Sequence, residues 1–317
     1  MPQTATAETI KDISIGIAIT SFLFFLTVLS PIFGFFCTLF IPLPTLYYRT
    51  KLGRKYGAII PAATMLLLIV MLGGLSIDIV FFFELLFIGF ALGEFFELNL
   101  SVGKTVAYTC AAVFLTGIVI VFFYSSLAGT GLKTLASEYI RKNIELTIEL
   151  YKSIGIVPAD VDIKPESLEE IHFFIVRIMP AMVIVSTLFL IWATLILAKP
   201  ILVSRNLNYP GFGPLNLWKA PEYLVWAVIG CGLMWLIPET SLKLLGINGL
   251  LILMTIYFFQ GIAIVAFFFD KKQLPRFLRI ILYSLIAVQP FLLLAVMGMG
   301  LFDVWLNFRK LKTAKSN

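Results

Sequence analysis

Glu84 is the residue of this 317-residue chain whose setting most demands chemistry. It stands midway along the apolar run IDIVFFFELLFIGF. An ionisable group facing hydrocarbon costs at least ~2.5 to 3.5 kcal/mol on insertion scales. The carboxyl therefore either serves as a protonatable or ligand-facing group inside a helix bundle, or is a neutral acid hydrogen-bonded to a nearby backbone or hydroxyl group. Arg177 is a candidate to pair with Glu84 or with an anionic head group; its place near a helix end also suits snorkelling to the interface. Gln260, in YFFQGIA, can line a pocket or, like Gln289 and Asn248, tie helices together. Glu84, Arg177 and Gln260 form the candidate ligand-binding set. Pro180, Pro238 and Pro290 break helical hydrogen bonds within or at the ends of apolar runs, and unwound backbone at membrane depth is tolerated only against protein or a water-filled cavity.

Other chemistry lacks its residues. With a single histidine, His172, sites built on several imidazoles have no ligands, and no metal or other cofactor is expected. Cys37, Cys110 and Cys231 lie in separate apolar runs without CxxC spacing, so neither a disulfide framework nor a thiolate site is encoded. There is no P-loop, no GxSxG and no paired-aspartate motif, and an enzyme is not expected. The formal charge of +6 does not point to nucleic acid, because the lysines and arginines cluster beside apolar runs, where orientation and anionic lipid account for them.

The elements that must hold these residues are membrane helices. A chain that is 60% hydrophobic and 13% charged is too apolar for a soluble globule, and at about 20 residues per span its length allows about nine crossings, with eight as the alternative. The fold class is an all-α, polytopic transmembrane bundle, read as one integral membrane domain over 1–317. Its N-terminal helices occupy 1–124, a long extracytoplasmic loop 125–171 and the C-terminal helices 172–317. The expected spans are Ile13–Ser30, Ile32–Tyr48, Ala58–Leu75, Ile77–Leu92, Thr105–Tyr124, Arg177–Ala198, Tyr223–Pro238, Asn248–Phe269 and Ile280–Leu301.

Arg49, Lys51, Arg54 and Lys55 follow the second run and read as a cytoplasmic loop that contacts a partner or lipid, which places the N-terminus in the cytoplasm. The tail residues Arg309, Lys310, Lys312 and Lys315 conflict with nine crossings from that start, which would leave the C-terminus outside. In the long loop, Leu132, Ala136, Tyr139, Ile140, Ile144, Ile148 and Tyr151 recur at three-to-four spacing and predict an amphipathic helix. PADVDIKP reads as a loop after it. Ser167-x-x-Glu170 then reads as a capping box opening the long sixth helix.

The closing segment GMGLFDVWLNFRKL, with Gly300, Asp303, Trp305 and Arg309, resembles the C-terminal signature of the YybS-like family, whose members carry the domain of unknown function DUF2232. IPLPTLYYRTKLGRKYG, the WKAP turn at Trp218–Pro221 and the Gln260-Gly261 pair are similar to landmarks of that family and occur in the same order. The resemblance implies an uncharacterised multi-pass protein of the bacterial inner membrane. It also implies an N-terminal half similar to the substrate subunits of energy-coupling-factor transporters and to the rod-shape protein of the elongation machinery. Those subunits dock through small residues four apart on the first helix; this chain has Ser14 and Ala18, and Gly16 and Thr20, before bulky Phe22 and Phe24.

A transport-related or small-molecule-binding subunit is the first expectation. A structural scaffold of the envelope machinery, recruiting a membrane protein partner through its basic loops, is the alternative. Asp303 and Arg309 stand six positions apart, about 600° around a helix of ~3.6 residues per turn, so the spacing predicts interfacial anchors that make separate contacts.

Overall fold

The structure, a computed structural model, describes residues 6–29, 31–155 and 165–310. Most of the expected PADVDIKP loop, the Ser167 side chain, and Lys312 and Lys315 of the tail lie outside the described residues. Every regular element among the described residues is helical. Two compact units emerge: Met1–Val176 with Ser186–Gly211, and Arg177–Val185 with Phe212–Asn317.

The first unit is built on α1 (Ala7–Leu29), α2 (Pro31–Thr38), α3 (Pro42–Gly57), α4 (Ile59–Met71), α5 (Ile77–Glu97), α6 (Val102–Ala128) and α7 (Leu132–Ser153), with parts of α8 (Pro165–Ser204). α1 packs on α2, α3 and α4, while α5 packs between α3 and α6. Phe24, Ile41, Leu68, Phe82, Leu85 and Leu86 form a buried cluster, with the Phe24 and Phe82 rings edge to face at 4.9 Å.

The expected second span is divided. Pro31–Thr38 is a short helix, and α3 begins afresh at Pro42, whose fixed φ suits a first helical turn. α3 runs on through the basic cluster, so Arg49, Lys51, Arg54 and Lys55 stand on a helix and not on a loop. Gly53 interrupts it at φ 75°, a conformation glycine adopts without steric cost. A bend of 87° then separates α3 from α4. Gly73 and Gly74, at φ 75° and 141°, make a tight turn before α5.

The small stripe on α1 is partly used within the chain. Gly16 and Thr20 are buried, with Ile60 and Tyr48 against Gly16, whereas Ser14 and Ala18 remain exposed.

The second unit centres on α10 (Thr240–Lys271), against which α9 (Leu224–Leu236) and α12 (Pro290–Leu306) pack; α11 (Arg276–Val288) leads into α12. Close approach of α10 and α12 depends on two glycines. A β-carbon on Gly261 would collide with the Val296 carbonyl, and one on Gly300 with that of Tyr257. The expected ninth span is broken, because Gln289 leaves the helical conformation at φ −96°, ψ 110° ahead of Pro290, and α11 meets α12 at 99°. The exposed Glu239 carboxylate caps α10 by accepting from the Ser241 and Leu242 amides, which hold it below the usual carboxylate range.

α8 runs from Pro165 to Ser204, starting ahead of the expected cap at Ser167 and ending beyond Ala198. Its Arg177–Val185 stretch belongs to the second unit. Pro180 interrupts its hydrogen bonding there, and Asn248 of α10 splices the gap. The Asn248 side chain accepts from the Ala181 amide at 3.0 Å and donates to the Arg177 carbonyl at 2.9 Å, the two groups that would otherwise bond each other.

Among the described residues, five helices are long and apolar enough to cross a membrane: Ala7–Leu29, Ile77–Glu97, Val102–Ala128, Leu168–Ser204 and Thr240–Lys271. The number rises to 7 if each bent pair, α3 with α4 and α11 with α12, forms one span. α9, in the expected seventh span, has only 13 residues, too few to cross the hydrocarbon at ~1.5 Å per residue.

Candidate functional site

α5 carries Glu84. Its apolar composition makes it a membrane helix, and its glycines set the spacing to α3: Gly89 lies against the Pro42 carbonyl and Gly93 against the Arg49 side chain, each too close for a β-carbon. The opposite neighbour, α6, is equally constrained. Gly117 faces the Glu84 carboxylate so closely that a β-carbon would overlap its Oε1. Cys110, two turns earlier on α6, is a buried free thiol. Glu84 itself is half-buried and has no hydrogen-bond or ion-pair partner among the described residues. An acid midway along a candidate span, held against a glycine and offered no donor or counter-charge, is available to a proton or a ligand.

The basic cluster is dominated by Arg49, whose side chain is 1% exposed. Its Nε donates to Glu94 Oε1 at 2.6 Å, a terminal nitrogen lies 2.9 Å from Glu97, and the guanidinium carbon stands 5.8 Å from the centroid of Phe90. Arg54 reaches the other Glu94 oxygen at 3.5 Å, and Lys51 pairs with Asp12 at 2.7 Å. Arg49 thus anchors α3 to α5, while Arg54 and Lys55 are exposed. The buried role of Arg49 was not readable from spacing, since Glu94 lies 45 positions away.

The second unit contains a buried polar cluster that joins several of the residues singled out in the sequence. Gln260 accepts from the Ala220 amide at 2.9 Å and donates to Asp303 at 3.1 Å. Asp303 also takes Arg309 at 2.9 Å and the Phe308 amide at 2.8 Å. Arg309 in turn donates to the carbonyls of Asn216 and Trp218, both at 2.9 Å. The Asp303 and Arg309 side chains are each 0% exposed.

The expected separate anchoring of Asp303 and Arg309 is therefore corrected. Asn307 is left-handed at φ 41°, ends α12 and turns the chain back, so the helical angle no longer applies beyond it. Trp305, on the same segment, is 59% exposed and lies against Phe302. The cluster joins the WKAP turn to α10 and α12, and both polar ends of Gln260 are engaged in it.

Arg177 is half-buried, and its carbonyl is one end of the Asn248 splice. Arg177 and Gln260 belong to the second unit and Glu84 to the first.

The first unit holds several cavities. One of about 320 Å³ is bordered by Ile19, Leu23, Tyr47, Tyr48, Ile201 and Arg205. Another, of about 450 Å³, lies between α7 and the start of α8. Neither is lined by Glu84. α7 is a helix over the stretch where the spacing predicts an amphipathic one, and its Tyr139 hydroxyl lies 3.3 Å from Asp78 at the start of α5. Burial and the nearby Asp78 charge raise the Tyr139 phenol above its ordinary range.

Apolar helices of spanning length and glycine-mediated helix contacts define a polytopic α-helical membrane protein. The chain belongs to the family described as "Predicted membrane protein (DUF2232)", whose model matches residues 18–304. It is similar to "Uncharacterized protein YybS" of Bacillus subtilis (strain 168), with 23% identity over 300 residues that cover 93% of this chain and 96% of the relative. The family match takes in Glu84, Arg177, Gln260 and Asp303 and stops short of Trp305 and Arg309. No solved structure matches the chain.

Proposed function

We propose that this protein is a transport-related or small-molecule-binding membrane subunit, not an enzyme, in which Glu84 meets the substrate or its coupling proton. The observation that carries this reading is the unpartnered Glu84 carboxylate midway along α5 against Gly117. A purely structural acid at that depth would be expected to have a donor of its own, as Asp303 does. A likeness of the N-terminal half to energy-coupling-factor substrate subunits, which the family resemblance in the sequence implies, would fit the same reading. The inner membrane and a cytoplasmic N-terminus are its setting, with the exposed Arg54 and Lys55 on the cytoplasmic side.

Comparing gently extracted wild-type protein with Glu84→Gln by native mass spectrometry tests the proposal. A co-purifying small molecule present in the wild type and absent from the variant is expected. Identical spectra, bare or equally loaded, would contradict it. A second reading, an envelope scaffold, is favoured by the exposure of Lys51, Arg54 and Lys55 along one helix. It requires that neutralising these three removes a partner in pull-downs while Glu84→Gln does not.

A further inference from the structure

We propose that the groove between α7 and the start of α8 binds one membrane lipid whose headgroup carries both a phosphate and an amine. Two cavities adjoin there. The larger, about 450 Å³, is walled chiefly by Tyr139, Ile140, Ile144, Ile148, Ile171 and Ile175, and its size falls in the ~300 to 1,000 Å³ range of small-molecule sites. The smaller, about 150 Å³, is bordered by the charged Arg141 and Glu145 from α7 and Glu169 from α8, with His172 of α8 beside them. Ile144 and Leu168 border both, so an apolar chamber opens beside a charged one. This is the arrangement that an acyl chain and its head require.

The charges select the head. Arg141, Glu145 and Glu169 have no ion-pair partners among the described residues, although they face one small cavity. One guanidinium beside two carboxylates complements a zwitterion: the arginine takes the phosphate through paired N–H donors, and the glutamates accept from the ammonium. A purely anionic head would meet two carboxylates and be disfavoured. The framework around the site is fixed on both sides. His172 Nε2 lies 2.9 Å from the Ser137 carbonyl and 3.1 Å from its hydroxyl, tying α8 to α7, while Tyr139 ties α7 to Asp78. An amphipathic helix such as α7 rests at the level of lipid headgroups, where such a molecule is at hand.

The test uses the full chain in detergent, titrated with phosphatidylethanolamine or phosphatidylglycerol of identical acyl chains and read by native mass spectrometry. Wild-type protein should retain phosphatidylethanolamine ~10-fold more tightly than phosphatidylglycerol. Glu145→Gln with Glu169→Gln should erase that preference, and Ile148→Trp, which fills the apolar chamber, should weaken both lipids. Circular dichroism identifies any variant that fails to fold, and the single Glu169→Gln change on an exposed helix surface then provides the reading. Equal retention of the two lipids by the wild type, or an undiminished preference after the glutamate changes, would overturn the proposal.

Discussion

Glu84 and Asp303 are both carboxylates on apolar helices, and their surroundings could hardly differ more. Asp303 receives Gln260, Arg309 and the Phe308 amide, and its oxygens are fully engaged. Glu84 receives no donor among the described residues and is pressed against Gly117. The difference separates two uses of an expensive group. A buried acid with a complete set of partners holds a turn, a helix end and a neighbouring helix in one arrangement, whereas an acid left without them is free to exchange a proton or meet a ligand.

The largest effect should come from breaking the completed cluster. Asp303→Ala leaves Arg309 buried without its counter-charge, a loss of roughly 3 to 5 kcal/mol, seen as a large drop in thermal stability in detergent. If Asp303→Ala melts with the wild type, the cluster is not what holds the WKAP turn. Gly300→Ala sharpens the comparison at the same helix pair: forcing a methyl against the Tyr257 carbonyl should cost ~1 to 3 kcal/mol, and an unchanged melting temperature would mean that α10 and α12 separate freely. Lys51→Ala removes an ion pair whose members are partly exposed and should change stability by less than ~1 kcal/mol. Glu84→Gln should change it least, within ~0.5 kcal/mol of wild type, because no hydrogen bond is lost. A marked destabilisation would place Glu84 with Asp303 among the structural acids.

Much of this was legible in the sequence, and what was not has identifiable causes. An all-helical membrane chain follows from composition, and Glu84 stands out because a single charge interrupts an apolar run. A helix over α7 follows from the local three-to-four spacing of its apolar residues. The division of the early helices and the right angle at Gln289-Pro290 depend on backbone conformations that apolar runs do not reveal. The Asp303–Arg309 pair was hidden because one left-handed residue, Asn307, cancels the helical geometry that the spacing assumes. The burial of Arg49 depends on Glu94 and on Gly93 making room for its side chain, and both lie far along the chain. Asn248 looked like ordinary helix glue, since only the fold brings it to the gap that Pro180 opens in α8.

Reaction with dicyclohexylcarbodiimide, an apolar reagent that modifies protonated carboxyl groups in hydrocarbon, tests the central contrast most directly. With the protein in membranes, mass spectrometry of the peptides should find Glu84 labelled and Asp303 untouched, with Glu84→Gln abolishing the α5 adduct. Labelling of Asp303 with Glu84 unmodified would contradict the account.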